Sequence, residues 1–253
     1  MADANLTGRR IIVTGGASGM GEGLVRALPK MGAAVVSLDL NPAGAAAAKD
    51  AGAGFFAVDV SDKVSVDAAI AAAVDALGGL DVLIHAAGIA PGAPAESIPI
   101  EQWHQAIAVN ATGTFLTNQA VFPHLKDKGG AIINFASSAG VTGYVGKAAY
   151  AAAKGAVVAW VRSIAAEWGK HNIRVNAIAP TIWTPMYDKT RGGMTPEQLV
   201  RHEAALKIAI PIGGKLGDID RDLVPVVAFL ASEGSHFMTG QIVPVDGGSM
   251  MMR

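Results

Sequence analysis

Cysteine is absent from the 253 residues, which excludes disulfides, thiolate metal sites and cysteine nucleophiles. Charge is scarce as well: 16% of residues carry one, against a usual ~25%. Neither sign prevails, since 20 Lys and Arg stand against 21 Asp and Glu for a formal net charge of −1. No extended positive field exists to draw nucleic acid or anionic lipid, so neither is expected as a partner. Long uninterrupted apolar runs are also lacking. The uncharged stretch 102–125 carries Asn110, Thr112, Thr114, Thr117, Asn118 and Gln119, too much polarity for a membrane span. Residues 1–10 contain no apolar core of a signal peptide, so a cytoplasmic location is expected. The six histidines are scattered without ligand spacing, so no metal is expected, and Gly-x-Ser-x-Gly does not occur.

What is abundant is apolar and small: 51% hydrophobic residues and 31 glycines. With so little charge, part of the surface is expected to be buried against copies of the same chain. Short β-branched runs at 11–13, 35–38, 55–58, 82–84, 131–135 and 173–178 are nearly all apolar, as buried parallel strands are. Ala-rich periodic stretches at 21–31, 42–51, 62–77, 99–125 and 148–168 read as the helices between them. Ser61 or Asp62 suits the start of the third helix, and Gly32 and Gly78 follow helix ends. A last strand at 241–245 ends at Asp246-Gly247-Gly248. This alternation implies a doubly wound, Rossmann-like α/β sheet, parallel, with helices on both faces. No linker or repeat interrupts it, so residues 1–253 read as one domain. One segment, 181–211, breaks the rhythm with Pro, Gly and Met, and is expected to be a loop with a short helix at about 195–208 that covers a ligand.

The first strand runs into Thr14-Gly15-Gly16-Ala17-Ser18-Gly19-Met20-Gly21, where a helix begins. Glycines at 15, 19 and 21, with Ser18 and Met20 between them, let the backbone approach a pyrophosphate whose charge meets the helix N-terminus. Such a turn also suits a strand–helix junction that binds nothing. Asp39 closes the second strand, eighteen residues beyond Gly21, where a carboxylate can accept both hydroxyls of an adenosine ribose, or simply cap a loop. A 2′-phosphate would need a cation there, and neither Ser18 nor Leu40 supplies one. NAD is expected rather than NADP.

Tyr150 and Lys154 stand four apart in an Ala-rich helix and share one face. A phenol of pKa ~10 is a poor base at neutral pH. An ammonium ~4 Å away, at an effective dielectric of ~20, is worth about 4 kcal/mol, roughly three pKa units. The pairing is expected to bring the tyrosine near 7, where a general acid or base works best. The plain alternative is an exposed Lys beside a packed Tyr.

Taken together, Thr14-Gly-x-x-x-Gly-x-Gly21, Asp59-Val60, Asn110-Ala-Thr-Gly113, Ser137 thirteen residues before Tyr150, and Tyr150-x-x-x-Lys154 resemble the short-chain dehydrogenase/reductase family. The likeness runs from about residue 7 to 248 in the family's order and spacing. It implies that Tyr150 passes the proton, that Lys154 tunes it and bonds the nicotinamide ribose, and that Ser137 bonds the substrate oxygen, with Ser138 the substitute. It implies that Asn110 holds a relaying water, and that Asp59 and Val60 bind adenine. Ala87 and Gly88 would serve the cofactor through their backbone, and Pro180, Ile182 and Thr184 would meet the carboxamide. Two positions depart from the family: its Asn-Asn-Ala-Gly is His85-Ala86-Ala87-Gly88, with His85 read as a core residue, and its Pro-Gly is Pro180-Thr181. The resemblance implies an NAD-dependent enzyme interconverting a secondary alcohol and a ketone, assembled as a homotetramer. The alternatives are an NADP-dependent 3-oxoacyl-thioester reductase whose Lys126, Lys128 and Lys170 meet an acyl carrier protein, and a non-catalytic NAD-binding regulator.

Overall fold

The computed structural model describes residues 5–250; residues 1–4 and 251–253, the outer ends of the expected domain, lie outside the described residues. Seven strands form one sheet: β1 (Arg10–Thr14), β2 (Ala34–Asp39), β3 (Gly54–Ala57), β4 (Val82–His85), β5 (Gly130–Phe135), β6 (Ile173–Pro180) and β7 (Ile242–Val245). Their order is β3-β2-β1-β4-β5-β6-β7, and every pairing is parallel. Every C-terminal strand end therefore meets at one edge, and the order reverses between β1 and β4.

The helices are α1 (Gly19–Ala27), α2 (Gly44–Asp50), α3 (Lys63–Leu77), α4 (Ile100–Ala106), α5 (Gly113–Leu125), α6 (Ala139–Thr142), α7 (Ala148–Trp168), α8 (Pro185–Gly192), α9 (Pro196–Ala209) and α10 (Val224–Ala231). Because side chains alternate along a strand, the sheet feeds two cores. Ile12, Leu83, Ile132 and Val175 pack on α3, α5 and α7 through Ile70, Val121 and Val161. Ile11, Val13, Ile84 and Ile133 pack on α1 and α10 through Leu24, Val25 and Val227. That two-sided burial is why the strands read as unbroken apolar runs.

Three features depart from the expectation. The helix expected over 99–125 is interrupted at Ile107–Thr112 by a π-helical turn, with Asn110 buried inside it. The segment 181–211 holds two helices rather than one: α9 is the anticipated one, and α8 starts where the Thr184 hydroxyl accepts from the Tyr187 N–H. Proline in the first turn of α8 removes a donor that had no partner to lose. Finally, α10 was not anticipated, because its exposed residues Pro225 and Phe229 are apolar like its buried ones, so the sequence shows no polar face.

Buried amides fix α7 against the sheet. Asn118 of α5 and Asn134 of β5 exchange two hydrogen bonds of 3.0 and 2.9 Å, and the Trp160 indole donates to Asn118 at 3.1 Å. Satisfied networks of this kind hold one arrangement, since every alternative leaves a buried dipole unpaired.

Candidate active site

A cleft of about 420 Å³ opens at the carboxyl edge of the sheet, at the β1/β4 reversal. Open α/β sheets bind ligands at that point, because the loops of neighbouring strands part to opposite sides. Gly15, Ser18, Gly19, Met20, Gly21, Asp39, Asp59, Val60, Ala87, Gly88, Asn110, Ser137, Tyr150, Lys154, Pro180 and Thr184 all line it. Ile182 does not: its side chain is buried in the α10-side core, and the chain there bridges to Gly217. That correction concerns the side chain only, since the Ile182 N–H takes no partner among the described residues.

At the β1 end, Gly15 has φ 72°, and a Cβ there would lie 2.6 Å from the Ala87 nitrogen. A Cβ on Gly21 would lie 2.1 Å from the Gly15 oxygen. These two glycines are required by the turn's own packing. The ligand signal lies elsewhere, in the N-cap of α1: Ser18 makes no side-chain cap, so the first-turn N–H groups have no side-chain acceptor. An uncapped helix N-terminus facing a cleft fits an anionic pyrophosphate. Asp39 is held by the N–H groups of Ala17 and Asn41, both 2.9 Å, one on each carboxylate oxygen. Each oxygen keeps a lone pair for a ribose hydroxyl. Asp59 is oriented similarly by the Ser61 hydroxyl and N–H.

At the other end, β5 delivers Ser137 and α7 delivers Tyr150 and Lys154. Burial pushes the Tyr150 phenol above its usual range, while the facing Ser137 hydroxyl pulls it back. Lys154 is 4% exposed, and burial draws its ammonium down to about 8. The expectation that Lys154 brings Tyr150 near 7 is not met, because burial is the largest influence on the phenol and raises it. The Lys154 Nζ lies 5.9 Å from the tyrosine ring centre and donates to the Phe135 carbonyl at 2.7 Å. A buried ammonium needs an acceptor, and the carbonyl at the end of β5 is the one in reach.

Asn110 is firmly held. Its amide donates to the Ile89 and Ala106 carbonyls, both at 3.0 Å, and accepts from the Ile89 N–H at 3.2 Å. Both ends of the amide thus grip the protein itself and fix the loop after β4.

His85 is fully enclosed, as expected of a core residue. Its Nδ1 lies 2.9 Å from the Thr14 hydroxyl and 3.0 Å from that of Thr117, while Nε2 has no partner. Burial, helped by the Lys154 charge, lowers its pKa to about 3, so the ring is neutral. Thr14, which the sequence reading passed over, also accepts from the Ala87 N–H at 3.3 Å. The ring thereby ties the glycine turn to the loop after β4. At Thr181 the lost glycine costs nothing: Asn172 is the only non-glycine with positive φ among the described residues, and the Thr181 N–H pairs with Val245.

A family model described as Enoyl-(Acyl carrier protein) reductase matches residues 15–250. The chain belongs to the short-chain dehydrogenase/reductase family. D-threitol dehydrogenase of Mycolicibacterium smegmatis is 37% identical, over 97% of this chain and 94% of that one. Levodione reductase of Leifsonia aquatica is 33% identical, over 96% and 94%. A crystal structure of levodione reductase superposes with a TM-score of 0.89 at 31% identity, covering 96% of this chain and 97% of that chain. This short-chain dehydrogenase/reductase is thus an oxidoreductase of the alcohol–ketone type that works with a nicotinamide dinucleotide.

Proposed function

We propose that the protein is an NAD-preferring dehydrogenase of small secondary alcohols, reducing the matching ketones in reverse. One observation carries the reading: Ser137, Tyr150 and Lys154 share a single cleft with the uncapped N-terminus of α1 and the oriented Asp39 carboxylate. The α1 turn, Asp39, Asp59 and Val60 would hold the adenosine and pyrophosphate, and Lys154, Pro180, Ile182 and Thr184 the nicotinamide end. When bound, NAD supplies the acceptor for the hydride leaving the carbinol carbon. Tyr150 takes the proton from the carbinol oxygen in oxidation and returns it in reduction, and Ser137 donates to that same oxygen. Lys154 holds its donor atoms beside Tyr150 through Phe135. Asn110 acts as a positioning residue for the Ile89 loop. Met186 and Ile89 line the cleft, and Val141, Tyr144 and Trp183 are exposed apolar side chains on the neighbouring segments, so the substrate body is apolar.

NAD is favoured over NADP because a 2′-phosphate would meet the Asp39 carboxylate, and Lys154, at the far end, is the one cation among the described lining residues. The thioester-reductase alternative needs a carrier protein docked at the cleft mouth. Lys126 and Lys128 precede β5 and Lys170 precedes β6, at the opposite edge of the sheet, which argues against it. The homotetramer reading is supported by α7, whose outward face carries exposed Ala152, Ala156, Ala159 and Ser163, a stripe on which a second helix can lie closely. No described helix is long and apolar enough to cross a membrane, and a cytoplasmic enzyme is the reading we adopt. Initial rates for a panel of cyclic, aromatic and aliphatic secondary alcohols, with NAD and NADP in parallel, test the proposal. NAD-dependent oxidation is expected; equal or better rates with NADP, or none with either, would overturn it.

A further inference from the structure

Lys147 takes no part in hydride or proton transfer, yet it caps the helix that carries Tyr150 and Lys154. Lys147, Tyr150 and Lys154 are spaced i, i+3 and i+7 at the N-terminal end of α7. The Ala151 N–H donates to the Lys147 carbonyl at 2.8 Å, as to the N-cap of α7, whose own φ of −131° and ψ of 26° are not helical. Lys154 follows Tyr150 by one turn, and Lys147 stands at the cap three residues before it.

The Lys147 ammonium reaches the loop after β4, where it donates to the Ala90 carbonyl at 2.6 Å. Ala90 lines the cleft. The same two segments meet again where the Ala93 N–H donates to the Gly146 carbonyl at 3.0 Å. At Gly92 a Cβ would come within 3.0 Å of the ammonium, so this glycine leaves the cation room.

Half-buried lysines ordinarily face a carboxylate, because ionised groups leave water at a cost that an opposite charge offsets. Even the exposed Lys63 and Lys128 have such partners in Asp67 and Asp81. Lys147 has none among the described residues, and burial, with no carboxylate to counter it, draws its pKa down. The Ala90 carbonyl takes one of its three N–H donors. An uncompensated cation with donors to spare, beside the cleft and at the cap of the helix that carries Tyr150, lacks an anion that the chain does not provide.

We propose that Lys147 anchors a carboxylate on the substrate, at the end remote from the carbinol. The inference rests on reading the cleft as that of a secondary-alcohol dehydrogenase, and it assigns the substrate class: a hydroxy acid, or its keto acid, with an apolar body between the two ends. The opposing role is a purely structural one, in which Lys147 only pins the Ala90 loop; that role is indifferent to the charge of a ligand.

The test is titration calorimetry with cyclohexanecarboxylate, and with its neutral carboxamide as control, on wild type, Lys147→Met and Lys147→Arg, with and without NAD. Wild type is expected to bind the acid about tenfold more tightly than the amide. Lys147→Met should lose that preference, Lys147→Arg should keep part of it, and raised salt should weaken the acid alone. Equal affinities for acid and amide in wild type, or a preference that survives in Lys147→Met, would overturn the proposal. Turnover of secondary alcohols by wild type is read separately. If none is oxidised while the acid preference follows Lys147, the dehydrogenase reading fails and the anion site stands.

Discussion

The Lys154 ammonium donates to the Phe135 carbonyl at 2.7 Å, and that bond holds the charge 5.9 Å from the centre of the Tyr150 ring. The cation is held in a buried place for function at a cost in stability. Its pKa is drawn from 10.5 to about 8 by burial. A folded-state value below the unfolded one penalises the fold fully below about pH 8, and the penalty fades as pH rises toward 10.5. Lys154→Met is therefore expected to unfold later at pH 7, by roughly 1–3 kcal/mol after the lost hydrogen bond is counted. The advantage should vanish near pH 10.5, and NAD binding should weaken. Chemical denaturation at the two pH values checks this, and a variant less stable than wild type at pH 7 would contradict it.

His85 gives a pH dependence of the same sign in a lower window. Its pKa is lowered from 6.5 to about 3, so between those values the unfolded chain takes up a proton that the folded one refuses. Stability conferred by the neutral ring is complete above about pH 6.5 and is lost as pH falls toward 3. The full effect is about 5 kcal/mol. Subtracting the acid-unfolding curve of His85→Asn from that of wild type should isolate this slope from that of the carboxylates. Parallel curves for the two proteins would show that the ring is not buried neutral.

Asp39→Ala should narrow the preference for NAD over NADP, chiefly through the KM of each cofactor. Removing the carboxylate takes away acceptors for the ribose hydroxyls and also the repulsion against a 2′-phosphate. It also frees the Ala17 and Asn41 N–H groups, so some loss with both cofactors is expected. An unchanged ratio of kcat/KM for the two cofactors would place the discrimination elsewhere.

Alcohol oxidation needs the ionised phenol and ketone reduction the neutral one. Since burial holds Tyr150 above its usual range, oxidation should still be rising at alkaline pH, and reduction should hold steady until the phenol ionises. Rate profiles in both directions read this, and oxidation that peaks at neutral pH and then declines would contradict it.

Much of this architecture is legible in the chain itself. The strands show because burial on both faces makes them continuous apolar runs, and the site shows because its glycines, Asp39 and the Tyr150–Lys154 pair fall at the strand ends that the alternation sets. Other features depend on contacts that spacing does not encode. The Lys154–Phe135 bond joins a helix to a neighbouring strand end, and no local pattern announces it. The grip of Asn110 on Ile89 arises from a π-helical turn inside an otherwise helical sequence. Thr14 reads in the sequence only as the first residue of the glycine-rich motif, and its hydroxyl proves to link His85 to Ala87. The α8 helix could have been found from Thr184-Pro185, a capping residue followed by proline in the first turn.

The central claim is that the Tyr150 hydroxyl exchanges the proton with the substrate oxygen in a cleft that holds NAD independently of it. Steady-state oxidation of the best secondary alcohol by Tyr150→Phe, with NAD affinity measured on the same preparation, tests it most directly. The account predicts a loss of kcat of about 100-fold or more with the dissociation constant for NAD little changed. A variant that keeps substantial turnover, or one that loses turnover only because NAD no longer binds, would contradict it.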